Sequence, residues 1–301
     1  MRLATILTSS GPRLHVRAGA GYVDIAAATG DENLADLRSF LEAGQSAAHA
    51  ARSLLNREGR NFEPRQFAPA VPAPERILCL GLNYSEHALE GGRAVPTWPD
   101  VFIRGRETVL GPYADLPKPA LSDTFDYEGE LGVVIGAGGR YIPAAKALDA
   151  VAGFTVINDA SVRDWQRAGS QWTAGKNFDA TMPIGPEIVT PDEADVSDVA
   201  LTTVLNGRVM QSARTSQMLV DVPGAIEFFS SFTTLRPGDV IATGTPSGVG
   251  FARKPPVWMK PGDVIEVTVE GVGTIRNKVV AEEGDRAGWR WRPGAAPVGT
   301  L

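Results

Sequence analysis

Apolar positions in the first third of the chain come in short bursts divided by turn residues. Residues 3–7, 14–16 and 22–25 read as strands, and residues 33–42 and 46–55, with apolar side chains at helical spacing, read as two helices. Between residues 58 and 75 the periodicity fades, and Pro64, Pro69, Pro72 and Pro74 follow one another closely. Prolines remove backbone donors and favour extended chain, so this stretch reads as a linker closing a small N-terminal domain, residues 1–75. From Arg76 the pattern is β-rich, with strands expected at 77–80, 101–104, 130–135, 151–158, 201–205, 240–243 and 264–269. Asn206-Gly207, between two apolar runs, predicts a hairpin, since both residues tolerate the positive φ of a type I′ turn. Pro-Gly-Asp-Val-Ile occurs at 237–241 and again at 261–265, which is the turn chemistry that leads into a strand. A helix is expected from Val222 to about Phe232, and the polar, Gly/Pro-rich residues 283–301 read as a surface tail. The main domain is therefore placed at 76–282, in a mixed α/β chain that is predominantly β.

Composition narrows the range of functions. The 301 residues are 43% hydrophobic, and 29 basic against 35 acidic side chains leave a net charge of -6. No basic stripe is available to neutralise a phosphate backbone, and no amphipathic basic helix is visible, so neither nucleic acid nor membrane is an expected partner. The lone Cys79 sits in an apolar run, and an unpaired buried thiol suits a reducing compartment. The apolar start is too short for a signal-peptide core and no run reaches bilayer length, so the expectation is a cytoplasmic protein.

The sharpest chemical pattern is Asp126-Tyr127-Glu128-Gly129-Glu130-Leu131-Gly132. In a strand, alternation puts Glu128 and Glu130 on one face, with Tyr127, Leu131 and Val133 on the other. Adjacent carboxylates repel unless a cation neutralises them or one is protonated. Gly132, next on that face, leaves room for a ligand. Hard oxygen donors without Cys or a His cluster favour Mg²⁺, Mn²⁺ or Ca²⁺ over zinc. The alternative is a solvated sheet face. Asp159, just past the apolar run 151–158, is a candidate third ligand, or an ordinary helix N-cap.

Of the three histidines, His15 and His49 have no recognisable partner. His87 has Glu90 one helical turn later; a carboxylate accepting one imidazole N–H fixes the tautomer and frees the other nitrogen to take a proton. A surface ion pair is the alternative. Lys176, after Gly175 and between Trp172 and Phe178, could donate to an oxyanion or lie solvated with its stem packed. The glycine-rich loop from Thr243 to Gly250 lacks the Gly-Lys-Ser/Thr ending of a phosphate-binding loop, but its amides and Thr245 could grip a carboxylate. No Gly-x-Ser-x-Gly elbow is present, and Cys79 lacks an activating base.

Five stretches occur in an order and spacing that resemble the fumarylacetoacetate hydrolase (FAH) family. They are Gly81-Leu82-Asn83-Tyr84 with His87 and Glu90; Tyr127-Glu128-Gly129-Glu130-Leu131; Asn158-Asp159-Ala160-Ser161 with Arg163-Asp164; Gly175-Lys176-Asn177-Phe178-Asp179; and Thr243-Gly244-Thr245-Pro246 with Gly248-Val249-Gly250. The resemblance implies an FAH-type catalytic domain of rolled, mixed β-sheets, paired into a homodimer. It implies Mg²⁺ or Mn²⁺ held by Glu128, Glu130 and Asp159, His87 and Glu90 as a water-activating dyad on a short lid, and Lys176 stabilising negative charge. Gln166 and Thr245 match substrate-contacting positions. Arg104 stands where many relatives carry lysine; a guanidinium can still hold a substrate carboxylate, but with a different shape.

The activity so implied is hydrolysis of a C–C bond in a 3-acylpyruvate or related 1,3-dioxo acid through a metal-stabilised enolate, as in the breakdown of aromatic compounds. The same enolate serves an oxaloacetate decarboxylase, a 2-keto-3-deoxy sugar acid dehydratase or a dienoate isomerase. A non-catalytic small-acid binder would be expected to have lost a ligand carboxylate or the dyad, and neither is missing from the sequence.

Overall fold

The computed structural model describes residues 1–283. The predicted tail lies outside the described residues from Gly284 onward. One ten-stranded sheet organises the chain. Across it run Gly21–Asp24, Gly11–Ala18, Arg2–Thr8, Met182–Val189, Val151–Asn158, Gly129–Ile135, Val240–Ala242, Ile77–Gly81 and Asp100–Arg104, with Val109–Leu110 beside Met182–Val189. A five-stranded sheet, in the order Arg208–Arg214, Ala200–Leu205, Val264–Val269, Gly273–Ala281 and Leu116–Lys118, packs against it. Phe125–Asp126 pairs with Ser161–Val162 at the edge of the site.

Gly129–Ile135 is buried along its whole length, so both of its faces must be covered. Leu131, Val133 and Ile135 join Val156, Val267, Val269 and Ile275 in a core between the two sheets. On the opposite face Val134 packs with Ile77, Cys79, Ile157, Ala242 and the N-terminal helices. Each such aliphatic side chain contributes roughly 1.5–3 kcal/mol by leaving water, and this burial fixes the register, because a one-residue slip would turn every side chain to the wrong face. Gly129 is required by the packing: a Cβ there would stand 2.2 Å from Thr203 Oγ1. Only hydrogen lets the second sheet come this close.

The first 75 residues contribute to the main sheet, where Arg2–Thr8 pairs antiparallel with Met182–Val189. The stretch expected to be a linker is likewise tied down by bridges from Arg60 to Tyr22 and from Phe67 to Ile6. The helix expected over 33–42 is divided into a 3₁₀ turn Glu32–Leu34 and a helix Leu37–Glu42, because Asp31 and Asp36 each accept a backbone amide and start separate turns. The strand expected over 22–25 ends at Asp24, whose side chain caps a helix Ile25–Thr29. The second predicted helix is present as Gln45–Arg52. No helix among the described residues is long and apolar enough to cross a membrane.

The hairpin forms where expected, with φ of 51° at Asn206 and 79° at Gly207. Both Pro-Gly-Asp repeats are turns, with φ of 84° at Gly238 and 99° at Gly262. Helix Val222–Phe232 has the predicted bounds, and Asp221 accepts from the Gly224 amide as its N-cap. Strand Met182–Val189 was not anticipated, because Pro183, Gly185 and Pro186 hide its alternation.

Candidate active site

The three suspected metal ligands come together through ordinary strand pairing. Gly129–Ile135 and Val151–Asn158 run antiparallel, with Ile157 opposite Glu130 and Asn158 opposite Gly129. The Asp159 amide donates to the Glu128 carbonyl at 2.8 Å, and Asn158 Oδ1 accepts the Glu128 amide at 3.0 Å. These bonds hold Asp159 across from Glu128. One carboxylate oxygen from each of Glu128, Glu130 and Asp159 lies within 4.8 Å of the others, and all three residues are buried. The alternation read from sequence is therefore present, and Asp159 faces the pair instead of capping a helix. Gly132 plays a different part from the one expected: a Cβ there would meet Ile157 Cδ1 at 2.6 Å and Thr155 Cγ2 at 2.8 Å. Neighbouring side chains fill that space, not a ligand.

Cations surround two of the acids. Lys176 Nζ lies 2.6 Å from Glu128 Oε2 and also donates to Asp159 Oδ2. Arg163 pairs with Glu128 Oε1 at 2.6 Å and with Asp126 Oδ2 at 2.8 Å. Arg104 ion-pairs with Asp159 and donates to Thr181 Oγ1 at 2.7 Å. Among the described residues Glu130 receives only the Gly244 amide, at 2.9 Å. Its pKa is raised well above the ordinary range by burial and by repulsion from Asp159 and Glu128. For Glu128, burial works in the same upward direction, but Arg163 and Lys176 outweigh it and hold the carboxyl well below its usual value. Burial would lower Lys176, yet Asp159 and Glu128 raise it, so the ammonium stays charged. Four buried acids, Asp126, Glu128, Glu130 and Asp159, thus face three buried cations, so Glu130 is the acid left without a cation and its ionisation gives the site one excess negative charge. An all-oxygen donor set with surplus negative charge fits a hard divalent cation.

His87 is on a short helix, Ser85–Glu90, with Nδ1 2.9 Å from Glu90 Oε1. Glu90 Oε2 accepts the Gly248 amide at 2.8 Å, which fastens the helix to the glycine-rich loop. His87 is 6% exposed and lines the same small cavity as the three acids, Lys176, Gln166 and Thr245. Free space in that cavity is about 60 Å³, room for only a few waters. Gly175 explains how Lys176 reaches the floor: a Cβ there would stand 2.3 Å from the Gln166 backbone nitrogen, so helices Arg163–Gln166 and Thr173–Lys176 cross at a bare glycine.

Not every expected substrate contact has a free group. Gln166 Oε1 accepts from Arg163 Nη1 at 2.9 Å. The Thr245 hydroxyl donates to the Gly129 carbonyl at 3.0 Å and accepts from Gln211 at 2.7 Å. Arg104 is 1% exposed and lies behind Asp159, outside the cavity wall. Its guanidinium orients the Asp159 carboxylate. Cys79 is buried, and its thiol is pushed up by burial and by Asp159 and Glu130, so it is an inert core residue.

Sequence reasoning passed over several wall residues. Behind the wall, Asp126 accepts the Gly250 and Phe251 amides at 2.7 and 3.0 Å while anchoring Arg163. The same alternation that paired Glu128 with Glu130 includes it. Arg93, Arg167, Trp172 and Phe251 also line the cavity. They come from separate loops and carry no local pattern.

A compact cluster of three buried carboxylates that could hold a metal ion thus shares one cavity with an imidazole–carboxylate pair on a mixed β fold. The chain belongs to the fumarylacetoacetate hydrolase family: residues 76–280 match its fumarylacetoacetate (FAA) hydrolase C-terminal model. It is 41% identical over 281 residues to the bovine (Bos taurus) mitochondrial oxaloacetate tautomerase FAHD2A, covering 90% of this chain and 88% of that protein. The human protein of the same name is 41% identical over 277 residues, again covering 90% and 88%. Among solved structures, fumarylacetoacetate hydrolase from Exiguobacterium antarcticum superposes with a TM-score of 0.83 at 33% identity. Maleylpyruvate hydrolase from Sphingobium sp. SYK-6, in complex with manganese and pyruvate, gives 0.77 at 29%. Each covers 94% of this chain and 100% of the other. The expected FAH fold, mixed and mostly β, is thereby established, and these relatives are enzymes. The curated relatives are named as mitochondrial oxaloacetate tautomerases rather than enzymes of aromatic breakdown.

Proposed function

We propose that this protein catalyses proton transfer at the carbon next to the 2-oxo group of a short 2-oxo acid, with keto–enol tautomerisation of oxaloacetate as its reaction. One observation carries the reading: His87, its Nδ1 tied to Glu90, shares a small cavity with three converging carboxylates. A hard divalent cation, Mg²⁺ or Mn²⁺, held by Glu128, Glu130 and Asp159, would draw electron density from the substrate's 2-oxo and carboxylate oxygens. Glu90 fixes the His87 tautomer with Nε2 as the acceptor. Nε2 removes the C3 proton, the C–H electron pair becomes the C2=C3 double bond, and the 2-oxo oxygen takes up the negative charge. Lys176 favours that charge from the cavity floor. Return of the proton to oxygen completes the enol.

A second reading is hydrolysis of a 3-acylpyruvate, in which His87 activates water instead. The pyruvate-bound maleylpyruvate hydrolase supports it, as the cleaved product would occupy the same floor. Decarboxylation, dehydration and dienoate isomerisation use the same base, and a 5-carboxymethyl-2-hydroxymuconate delta-isomerase from Mycobacterium smegmatis is among the similar structures, at 35% identity and a TM-score of 0.73. A non-catalytic binder would have no use for the His87–Glu90 pair. The edge strand Asp100–Arg104 leaves Val101 and Ile103 46% and 57% exposed, which supports pairing into a homodimer, testable by light scattering. The buried lone thiol suits a reducing compartment, and cytoplasmic placement stays part of the proposal beside the mitochondrial relatives.

The test is enol absorbance of oxaloacetate after rapid mixing, with Mg²⁺, Mn²⁺ or chelator, beside a panel of acylpyruvates. Tautomerisation faster than buffer catalysis, abolished by chelator, is expected. Chelator-insensitive turnover, or acylpyruvate cleavage without oxaloacetate turnover, would reject the proposal.

A further inference from the structure

Two guanidiniums at the mouth of the cavity make no ion pair among the described residues. Arg93 follows the helix that carries His87, with its amide bonded to the Ala88 carbonyl at 2.9 Å. Arg167 follows helix Arg163–Gln166. Both line the cavity that holds the three carboxylates, and both line the adjoining space on the outer side of His87. Each guanidinium is laid against an aromatic ring: Arg93 stands 5.5 Å from the centre of Trp172, and Arg167 stands 4.2 Å from that of Phe251. Stacking engages the flat face of a guanidinium and leaves its N–H edge available. Among the described residues neither side chain makes an ion pair or a hydrogen bond, although every other guanidinium at this site, on Arg104 and Arg163, is paired with a carboxylate. Two positive groups on one rim, their N–H edges unpaired among the described residues, describe an anion site. Burial, Arg163 and Arg93 depress the Arg167 pKa and outweigh the upward pull of Asp126, so an anion there would relieve repulsion already present.

Resting on the enolisation reading above, we infer that Arg93 and Arg167 form a clamp for the distal carboxylate of the substrate, making the enzyme selective for 2-oxo diacids over 2-oxo monoacids. The 2-oxo acid head lies at the Glu128–Glu130–Asp159 floor and the second carboxylate reaches the rim. The two arginines come from different elements, one following the helix that bears His87 and one following helix Arg163–Gln166. A bound diacid therefore ties those two helices together.

The experiment uses the full chain with Mn²⁺ and three ligands that share a head group: oxaloacetate, pyruvate and oxalate. Oxalate reports on the floor alone. Deuterium exchange at C3, followed by NMR, gives KM for oxaloacetate and pyruvate, and calorimetry gives the oxalate Kd. Both arginines are exposed, so their variants keep the fold. Arg93→Gln and Arg167→Gln should each raise the oxaloacetate KM about tenfold, and the double variant about a hundredfold, as expected for one charged hydrogen-bonding group lost at a time. Pyruvate KM and oxalate Kd should stay within about threefold, and Arg93→Lys should recover part of the loss. An unchanged preference for oxaloacetate in the double variant, or a parallel loss for oxalate, overturns the clamp while leaving the enolisation reading intact. Absence of Mn²⁺-dependent oxalate binding in the unmodified protein overturns that underlying reading, and the clamp with it.

Discussion

Replacing Glu130 by glutamine should stabilise the metal-free protein while destroying its function, because the site carries one more buried negative charge than it can pair. The substitution keeps the shape and an oxygen for the Gly244 amide, which lies 2.9 Å from Oε2. It removes only the charge. Arg104, Arg163 and Lys176 make their ion pairs with Asp126, Glu128 and Asp159, and none of these reaches Glu130. With ligand oxygens up to 4.8 Å apart, repulsion between two unit charges is roughly 3.5 kcal/mol at an effective dielectric of about 20. Lys176 offsets part of this for both neighbours, so a net gain of about 1–3 kcal/mol is expected, or about 2–6 °C in Tm for a chain of this size.

The gain depends on pH, and its sign follows from linkage. The folded pKa of Glu130 lies above the ordinary 4.5, so below 4.5 the carboxyl is protonated in both states and carries no penalty. As pH rises beyond 4.5 the unfolded chain releases a proton that the folded site retains, and stability falls until the raised folded pKa is passed. Thermal unfolding in chelator at pH 5 and pH 8 tests this. The Tm advantage of Glu130→Gln should be larger at pH 8. Adding Mn²⁺ should raise the Tm of the unmodified protein and leave the variant unmoved. A variant that melts at or below the unmodified protein in chelator at pH 8, or that gains as much from Mn²⁺, would refute the charge accounting.

Removing the base should separate chemistry from binding: His87→Asn is expected to lower kcat about 10²–10⁴-fold with Mn²⁺ affinity unchanged, and a matching loss of Mn²⁺ affinity in calorimetry would show that the imidazole acts on the metal instead. Glu90→Gln should cost about 10–100-fold through loss of the fixed tautomer, and an activity within twofold of the parent would remove Glu90 from the dyad. Asp126→Asn leaves Arg163 without one of its two carboxylates in a buried site, so denaturant unfolding should show about 3 kcal/mol of lost stability; a change under 1 kcal/mol would mean that Glu128 alone satisfies Arg163. Gly129→Ala should lose about 1–3 kcal/mol by driving a methyl into Thr203, and unaltered stability would show that the sheets can part there.

What could be read from the sequence was whatever depends on neighbours in the chain. The Asn206-Gly207 turn and the Asp221-capped helix are decided within a few residues, and so is the shared face of Glu128 and Glu130. The His87–Glu90 contact is a single helical turn. Where tertiary contacts decide, local reading failed in instructive ways. Gly132 looked like space for a ligand, but the adjacent strand supplies Ile157 and Thr155 to fill it. Residues 58–75 looked like a spacer because their proline-rich pattern does not reveal the bridges to Tyr22 and Ile6. Met182–Val189 is a fully buried strand at the centre of the main sheet, yet two prolines and a glycine conceal it. Arg104 resembled a substrate contact by position, and only the packing behind Asp159 reveals its other use.

The site divides along the same line. Its floor is made of side chains locked by strand pairing, with Glu128 and Glu130 on one strand and Asp159 bonded across from them. Its rim, with His87, Arg93, Arg167 and Phe251, comes from short helices and loops that meet only in the folded chain. A rigid floor would fix the chemistry available, on the proposed reading enolate formation next to a carboxylate, because those groups cannot move without breaking the sheet. The rim can change residue by residue at little cost to the core, and so it sets which substrate tail is accepted. Similar structures that carry the names of hydrolases and isomerases are what this division predicts. It follows that exchanging rim residues such as Arg93 and Arg167 should alter substrate preference with metal affinity preserved, whereas any change at the floor should remove both together.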